Sequence, residues 1–276
     1  MAEKPLFCLG EAWLELSADT APELAEAFRV RTGGWAAEFC LDYTAQGGHA
    51  ALLSQLGAEP FGRKLAAHLA ARGVDCTQLA FTASARTPVI FSGEAGEPLV
   101  YRAPSSELLY APEQLDASRF QDAFALCFSS SCLLDAPIRM THLKAIAAAR
   151  DHGAFVCYAP ELAQAAAFWP ESVSLRETAQ LFFPQVDVLL LKESDLVPLF
   201  GSRELRTALF SLFRGHVQLI FYSSSDKIHL FTRNVMLSCP QNGLSPAEFL
   251  RRLNALHTWP DKLSGLREVT LRKLLL

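Results

Sequence analysis

Several short segments of this 276-residue chain are apolar at every position, not at every second one. Pro5 to Gly10 and Ala154 to Tyr158 are the clearest; Val186 to Leu191 is broken only by Asp187, and Ala50 to Leu53 and Val217 to Tyr222 read as further strands. A strand that alternates has one wet face, whereas a strand without alternation is covered on both. Segments of helical period lie between these runs. Ala36 to Ala45 closes at Gly47-Gly48, and Phe61 to Arg72 closes at Gly73. Pro137 to His152 starts behind Asp135 and stops at Gly153; Leu175 to Phe183 and Glu204 to Phe213 complete the set. Doubly covered strands alternating with helices predict an α/β fold with a doubly wound, mainly parallel sheet and helices on both faces.

Two stretches break this rhythm. Trp13 to Ser17 and Phe28 to Arg31 are short, partly alternating strands. Pro88 to Ser92 and Pro98 to Arg102 flank Gly93-Glu94-Ala95-Gly96 and read as a hairpin. Together they predict a small β-sheet attached to the α/β body.

Composition narrows the functional classes. Half of the residues are hydrophobic and a fifth are charged, as in an ordinary globular protein. Lys plus Arg number 25 against 29 Asp plus Glu, a net charge of −4 that gives no basic face for a nucleic-acid backbone. No run of about 18 apolar residues predicts a membrane span. The seven cysteines have no regular spacing and read as reduced, mostly buried thiols of a cytoplasmic protein. Histidines 49, 68, 142, 152, 216, 229 and 257 show no metal-ligand spacing, so no metal site is expected from them.

An ordered series of motifs resembles the PfkB, or ribokinase-like, carbohydrate kinases, and among them the fructokinases. The series runs through Gly10-Glu11, Gly33-Gly34, Glu59-Pro60-Phe61-Gly62 and Gly73-Val74-Asp75. It continues with Tyr101-Arg102-Ala103-Pro104-Ser105, Tyr158-Ala159-Pro160-Glu161-Leu162, Phe168-Trp169-Pro170 and Asp187 to Leu196. The resemblance implies one ribokinase-like domain over residues 1–276, with lid strands from about 11–32 and 86–104 and a homodimer formed through the lid. It implies transfer of the γ-phosphoryl group of ATP, with Mg, to a sugar hydroxyl; a sugar or sugar phosphate is the expected small-molecule partner. It also implies that Glu15, Gly33, Gly34, Glu38 and Arg102 face the substrate, and that Lys192, Ser224 and Gly243 face the nucleotide.

Phosphoryl transfer of this kind needs a base for the hydroxyl proton and free N–H donors at a helix start. The family's Gly-Ala-Gly-Asp segment supplies both. Here the corresponding residues are Gly243-Leu244-Ser245-Pro246-Ala247-Glu248, with Pro246 at the position of the base. Ser245 reads as an N-cap, Pro246 as the first helical residue, and Glu248 as the far member of a capping box. Proline brings no N–H, and Glu248 brings negative charge to a site that must hold a phosphate.

Other positions depart as well. Glu15 replaces a sugar-binding Asp, and Glu38 a sugar-contacting Asn. Ala159, Glu161 and Ala163 replace Asp, Asn and Arg. Lys192 and Asp195 end the motif associated with metal and phosphate, so the amine is expected either on a phosphate or on Asp195. Tyr222, Ser224 and Lys227 replace the Thr-x-Gly-x-x-Gly that lets backbone approach the nucleotide. These departures argue against ATP binding. The expectation is a kinase-like protein that binds a sugar or a protein partner with little or no phosphotransferase activity. The alternative is an active sugar kinase with Glu248, Glu161 or Asp226 as an unusual base.

Overall fold

The computed structural model describes residues 3–205, 209, 212–213, 215–256 and 263–276. The expected helix over Glu204 to Phe213 and the side chain of His257 lie partly or wholly outside them.

The body is a nine-stranded sheet in the order β13-β12-β11-β10-β9-β8-β1-β4-β5. Its first strand is β1 (Leu6–Leu9), flanked in parallel by β4 (Ala50–Gly57) and β8 (Ala125–Ser129). β5 (Leu79–Thr82) extends one side, and β9 (Phe155–Ala159), β10 (Val188–Lys192) and β11 (Leu219–Ser223) extend the other, all parallel. Neighbouring residues of one strand serve opposite sides of the sheet. Leu6 and Cys8 join the core under one helical layer; Phe7 and Leu9 join the core under the other. That is the physical content of a strand that is apolar throughout.

One layer holds α1 (Trp35–Ala45) and α2 (Pro60–Ala71), together with α7 (Pro246–Asn254) and α8 (Glu268–Leu275) from the end of the chain. The other holds α3 (Pro137–Asp151), α4 (Leu162–Ala165), α5 (Ser172–Phe182) and α6 (Glu193–Phe200). Leu271, Leu274 and Leu275 are buried, while Leu276 stays exposed. The α8 carbonyls of Leu274 and Leu275 accept hydrogen bonds from Arg252 (3.0 Å) and Asn242 (2.9 Å).

Two features differ from the sequence expectation. β8 is completely buried beside β1, yet no Gly or Pro occurs between Pro112 and Pro137 to mark where a strand begins. The far edge carries an antiparallel pair, β12 (Lys227–Phe231) and β13 (Met236–Pro240). Its burial is partial, so the apolar-run signal is weak there.

The small second sheet has the order β3-β2-β6-β7, from β2 (Trp13–Ala18), β3 (Arg29–Gly33), β6 (Val89–Gly93) and β7 (Leu99–Tyr101). β2 pairs antiparallel with β3 and parallel with β6, so two sequence-distant segments form one surface. No described helix is long and apolar enough to cross a membrane. All seven cysteines are free thiols.

A two-compartment cleft at the sheet switch point

The chain moves outward from β1 through β4 and β5 in one direction and through β8 to β11 in the other. Open α/β sheets leave a crevice at the strand ends where the direction changes. Here residues from both sides meet across it. The Cys132 thiol, beyond β8, donates to Glu11 Oε2, beyond β1, at 3.2 Å. Glu11 Oε1 accepts the N–H of Trp35, the first residue of α1, at 3.0 Å. Gly34 makes that approach possible: its φ is +100°, and a Cβ there would lie 2.6 Å from the Glu11 carbonyl oxygen.

The crevice has two compartments. One, of about 300 Å³, lies under the small sheet and is lined by Glu11, Trp13, Glu15, Trp35, Glu38 and Phe168 among others. The second, of about 200 Å³, is lined by Trp35, Glu38, Asp42, Glu161, Lys192 and Pro246 among others. They meet along α1, where Trp35 and Glu38 line both and Asp42, one turn further on, lines the second. A separate hollow of about 350 Å³, lined by Gln180, Phe183, Pro184, Phe200, Leu212 and Gly215, has no titratable side chain in its lining.

Glu15, Gly34 and Glu38 come together in the first compartment. Glu15 Oε1 accepts the Ser92 hydroxyl from β6 at 2.7 Å. Burial pushes the Glu38 carboxyl above its ordinary value, aided by Glu15, Glu11 and Glu161 and opposed by Lys192. Gly34 lines the cavity, and the glycine pair also admits close contacts within the protein. A Cβ on Gly33 would strike the Trp13 indole nitrogen, and one on Gly34 the Glu11 backbone, so both close approaches are made by the protein itself.

Arg102 does not line the cleft. It is 4% exposed and stands behind the wall, with its guanidinium 4.7 Å from the Phe168 ring centre and 5.8 Å from that of Trp13. Nε donates to Glu107 Oε1 at 2.8 Å and Nη2 to the Cys132 sulfur at 3.1 Å. Ser105 donates to the same Glu107 oxygen at 2.8 Å. Burial pushes the fully buried Glu107 carboxyl upward against the pull of Arg102 and Ser105. Arg102 thus braces the Trp13–Phe168 wall, and Cys132 belongs to a polar network, unlike the apolar neighbours of Cys127.

The second compartment differs from expectation at nearly every position. Lys192 Nζ pairs with both carboxylate oxygens of Glu161, at 2.7 and 2.8 Å, and not with Asp195. Asp195 is fully buried and accepts the backbone N–H groups of Lys192 (3.0 Å) and Leu162 (2.9 Å). Burial lifts its carboxyl to about 6 despite those bonds. Glu161 sits in the left-handed region at φ 50°, a conformation that Asn adopts more readily than Glu.

At the start of α7, Ser245 Oγ accepts the Glu248 N–H at 3.1 Å and donates to Asp42 Oδ2 at 2.7 Å. The capping box is only half made: the Glu248 carboxylate turns along its own helix to Arg252 Nη2 at 2.7 Å. Glu248 is therefore not placed as a base. Ser224 and Gly243 line neither compartment. Ser224 closes the β11–β12 turn, donating to Asp226 at 2.8 Å, and Gly243 occupies a φ of +82° in open space. Asp226 is held in that same exposed turn.

The family model described as pfkB family carbohydrate kinase matches residues 4–239. The chain belongs to that family. Fructokinase-1 of Zea mays is 31% identical over 209 residues, which cover 74% of this chain and 64% of that protein. Fructokinase-1 of Oryza sativa subsp. japonica matches to the same extent. The chain thus spans less than two thirds of the length of these curated relatives. Among solved structures, a fructokinase from Xylella fastidiosa superposes with a TM-score of 0.83 at 22% identity, covering 99% of this chain and 90% of that one. A structure of that enzyme with bound ATP gives the same score at 23% identity.

The pfkB family match ends at β13, and the Gly243 to Leu250 segment lies beyond it. Within this pfkB-family chain, sequence reasoning missed Asp42, Trp13, Trp35, Phe168 and Glu107. Asp42 had a signal, four residues after Glu38 on a helix. Glu107 had none, because its partner Arg102 reaches it only through the fold of the segment after β7.

The second compartment is a poor fit to the phosphates of Mg·ATP: Lys192 is paired with Glu161, the Glu248 N–H is bonded to Ser245, and the Ser245 hydroxyl is bonded to Asp42.

Proposed function

We propose that this pfkB-family chain binds a sugar-class ligand in the compartment under the small sheet and does not transfer phosphoryl groups from ATP at a kinase rate. The observation that carries the reading is the Pro246–Ser245–Asp42 arrangement at the start of α7. Proline removes one anion-binding N–H, and the serine hydroxyl occupies the Glu248 N–H. Asp42, Glu38 and Glu161 line the approach. At an effective dielectric constant of 20, a carboxylate about 5 Å from a phosphate charge opposes it by about 3 kcal/mol. Lys192, paired with Glu161, offsets only one of the three.

The fructokinase relatives support the sugar class, with fructose as the first ligand to try. The alternative, an active kinase with an unusual carboxylate base, finds little support. Of Glu248, Glu161 and Asp226, only Glu161 faces the cleft, and it is held in a bidentate ion pair.

Calorimetric titration of Mg·ATP and of ADP tests the reading. No heat up to millimolar nucleotide is expected. Micromolar binding, together with ADP release from a sugar panel, overturns it.

A further inference from the structure

Resting on the reading that this compartment takes a sugar-class ligand, we propose that it selects a protonated amino polyol, such as an amino sugar, over a neutral sugar or a sugar phosphate. Three carboxylates, Glu11, Glu15 and Glu38, line about 300 Å³ of space, and among the described residues no Lys, Arg or His is in the lining. Lys192 acts on Glu38 from the second compartment while paired with Glu161, and Arg102 acts on Glu11 from behind the wall. Arg29 is paired with Asp19 at 2.6 Å, and Arg102 with Glu107 at 2.8 Å.

The carboxylates are not equivalent. Both oxygens of Glu11 already accept protein donors, and one oxygen of Glu15 accepts Ser92. Among the described residues no hydrogen bond or ion pair engages the Glu38 carboxylate, whose backbone N–H donates to the Gly34 carbonyl at 2.9 Å. Glu38 is exposed at the cleft, yet desolvation and the charges of Glu15 and Glu11 push its carboxyl up against the pull of Lys192, so a cation beside it relieves an existing repulsion. A phosphate placed there adds to that repulsion. A neutral sugar leaves it in place.

The opposite wall is built for the remaining parts of such a ligand. Trp13 and Phe168 lie 5.1 Å apart and present aromatic surface to the cavity, which suits both a cation and the apolar face of a sugar ring. Trp13 is nine-tenths buried, and its indole nitrogen packs against Gly33. An ammonium group supplies N–H donors to acceptor-only carboxylates, and the aromatic wall takes the apolar face of a ring. A ligand that carries both matches the compartment at both ends.

The test compares ligands of one skeleton by calorimetry at neutral pH: D-glucosamine, N-acetyl-D-glucosamine and D-glucose, then 1-amino-1-deoxy-D-fructose, D-fructose and fructose 6-phosphate. Each free amine is expected to bind at least about tenfold tighter than its neutral counterpart. N-acetylation removes the charge without touching the protein, and is expected to abolish the difference. The Glu15→Gln/Glu38→Gln double variant is expected to lose the preference, with each free amine binding no tighter than its neutral counterpart. Equal or tighter binding of D-fructose, D-glucose or fructose 6-phosphate overturns the inference but leaves the non-transferring sugar-class reading standing. Silence of all six overturns both the inference and the sugar-class ligand. Ethanolamine binding as tightly as D-glucosamine shows that charge alone is read, and overturns the polyol part.

Discussion

The two compartments of the cleft share one wall of α1 but are held in opposite ways. The compartment under the small sheet is open and braced from behind: Arg102, Glu107 and Cys132 support its aromatic wall without entering it. The compartment beside α7 is tied up by its own lining, with Lys192 on Glu161 and Ser245 on Asp42. A site that leaves a lining carboxylate such as Glu38 unengaged presents shape and charge to a ligand. A site whose polar groups bond one another must break those bonds before it can bind anything.

The largest effect expected from breaking this comparison is at the brace. Arg102→Met leaves Glu107 as an unpaired, fully buried carboxylate and is expected to cost about 3–5 kcal/mol in urea unfolding. Adding Glu107→Leu is expected to recover most of that loss, since an apolar pair replaces the ion pair. If the single substitution costs nothing, the brace does not exist as described.

Next comes the clasp on α7. Ser245→Ala removes both the N-cap and the Asp42 contact and is expected to cost about 1 kcal/mol, read from the denaturation midpoint. Glu161→Asn is smaller in stability. It loses a half-exposed ion pair but relieves a left-handed glutamate, so the net change is expected within about 0.5 kcal/mol. Its sharper readout is anion binding. Freeing Lys192 is expected to raise inorganic phosphate or ATP affinity, and an unchanged affinity means that Asp42 and Glu38 alone keep anions out.

The smallest effect is at the junction. Glu38 has a raised folded-state pKa, so the folded protein holds this proton more tightly than the unfolded chain. Stability from this group is therefore lost as pH rises from the unfolded value through the folded one. Glu38→Gln is expected to raise stability at neutral pH by a few tenths of a kcal/mol, the scale of partly exposed charges. It is also expected to flatten that part of the melting-temperature profile against pH. A steeper profile in the variant contradicts the like-charge crowding on which the amine preference depends.

Much of this architecture was legible in the chain. Uninterrupted apolar runs require two covering layers, and Gly and Pro punctuation bounded most helices. β8 was not legible, because a buried strand that follows Phe120 to Phe124 without a turn residue has no marked beginning. At the candidate site, the drift of Glu15, Glu38 and Pro246 from a sugar-kinase pattern was visible as residue types. Their partners were not. Glu248 reads as the far member of a capping box and only secondarily as a base, and Arg252, one turn later, takes it from both roles.

By itself the sequence determined the α/β class, the helix beginning at Ser245-Pro246 and the surplus of carboxylates, since period, capping chemistry and charge are local properties. Only the tertiary structure decided that Arg102 stands behind the cleft, that Lys192 faces Glu161 and that Ser245 meets Asp42. The last contact joins residues 203 positions apart. A side chain's direction and its protonation depend on such distant neighbours, and no local pattern encodes them.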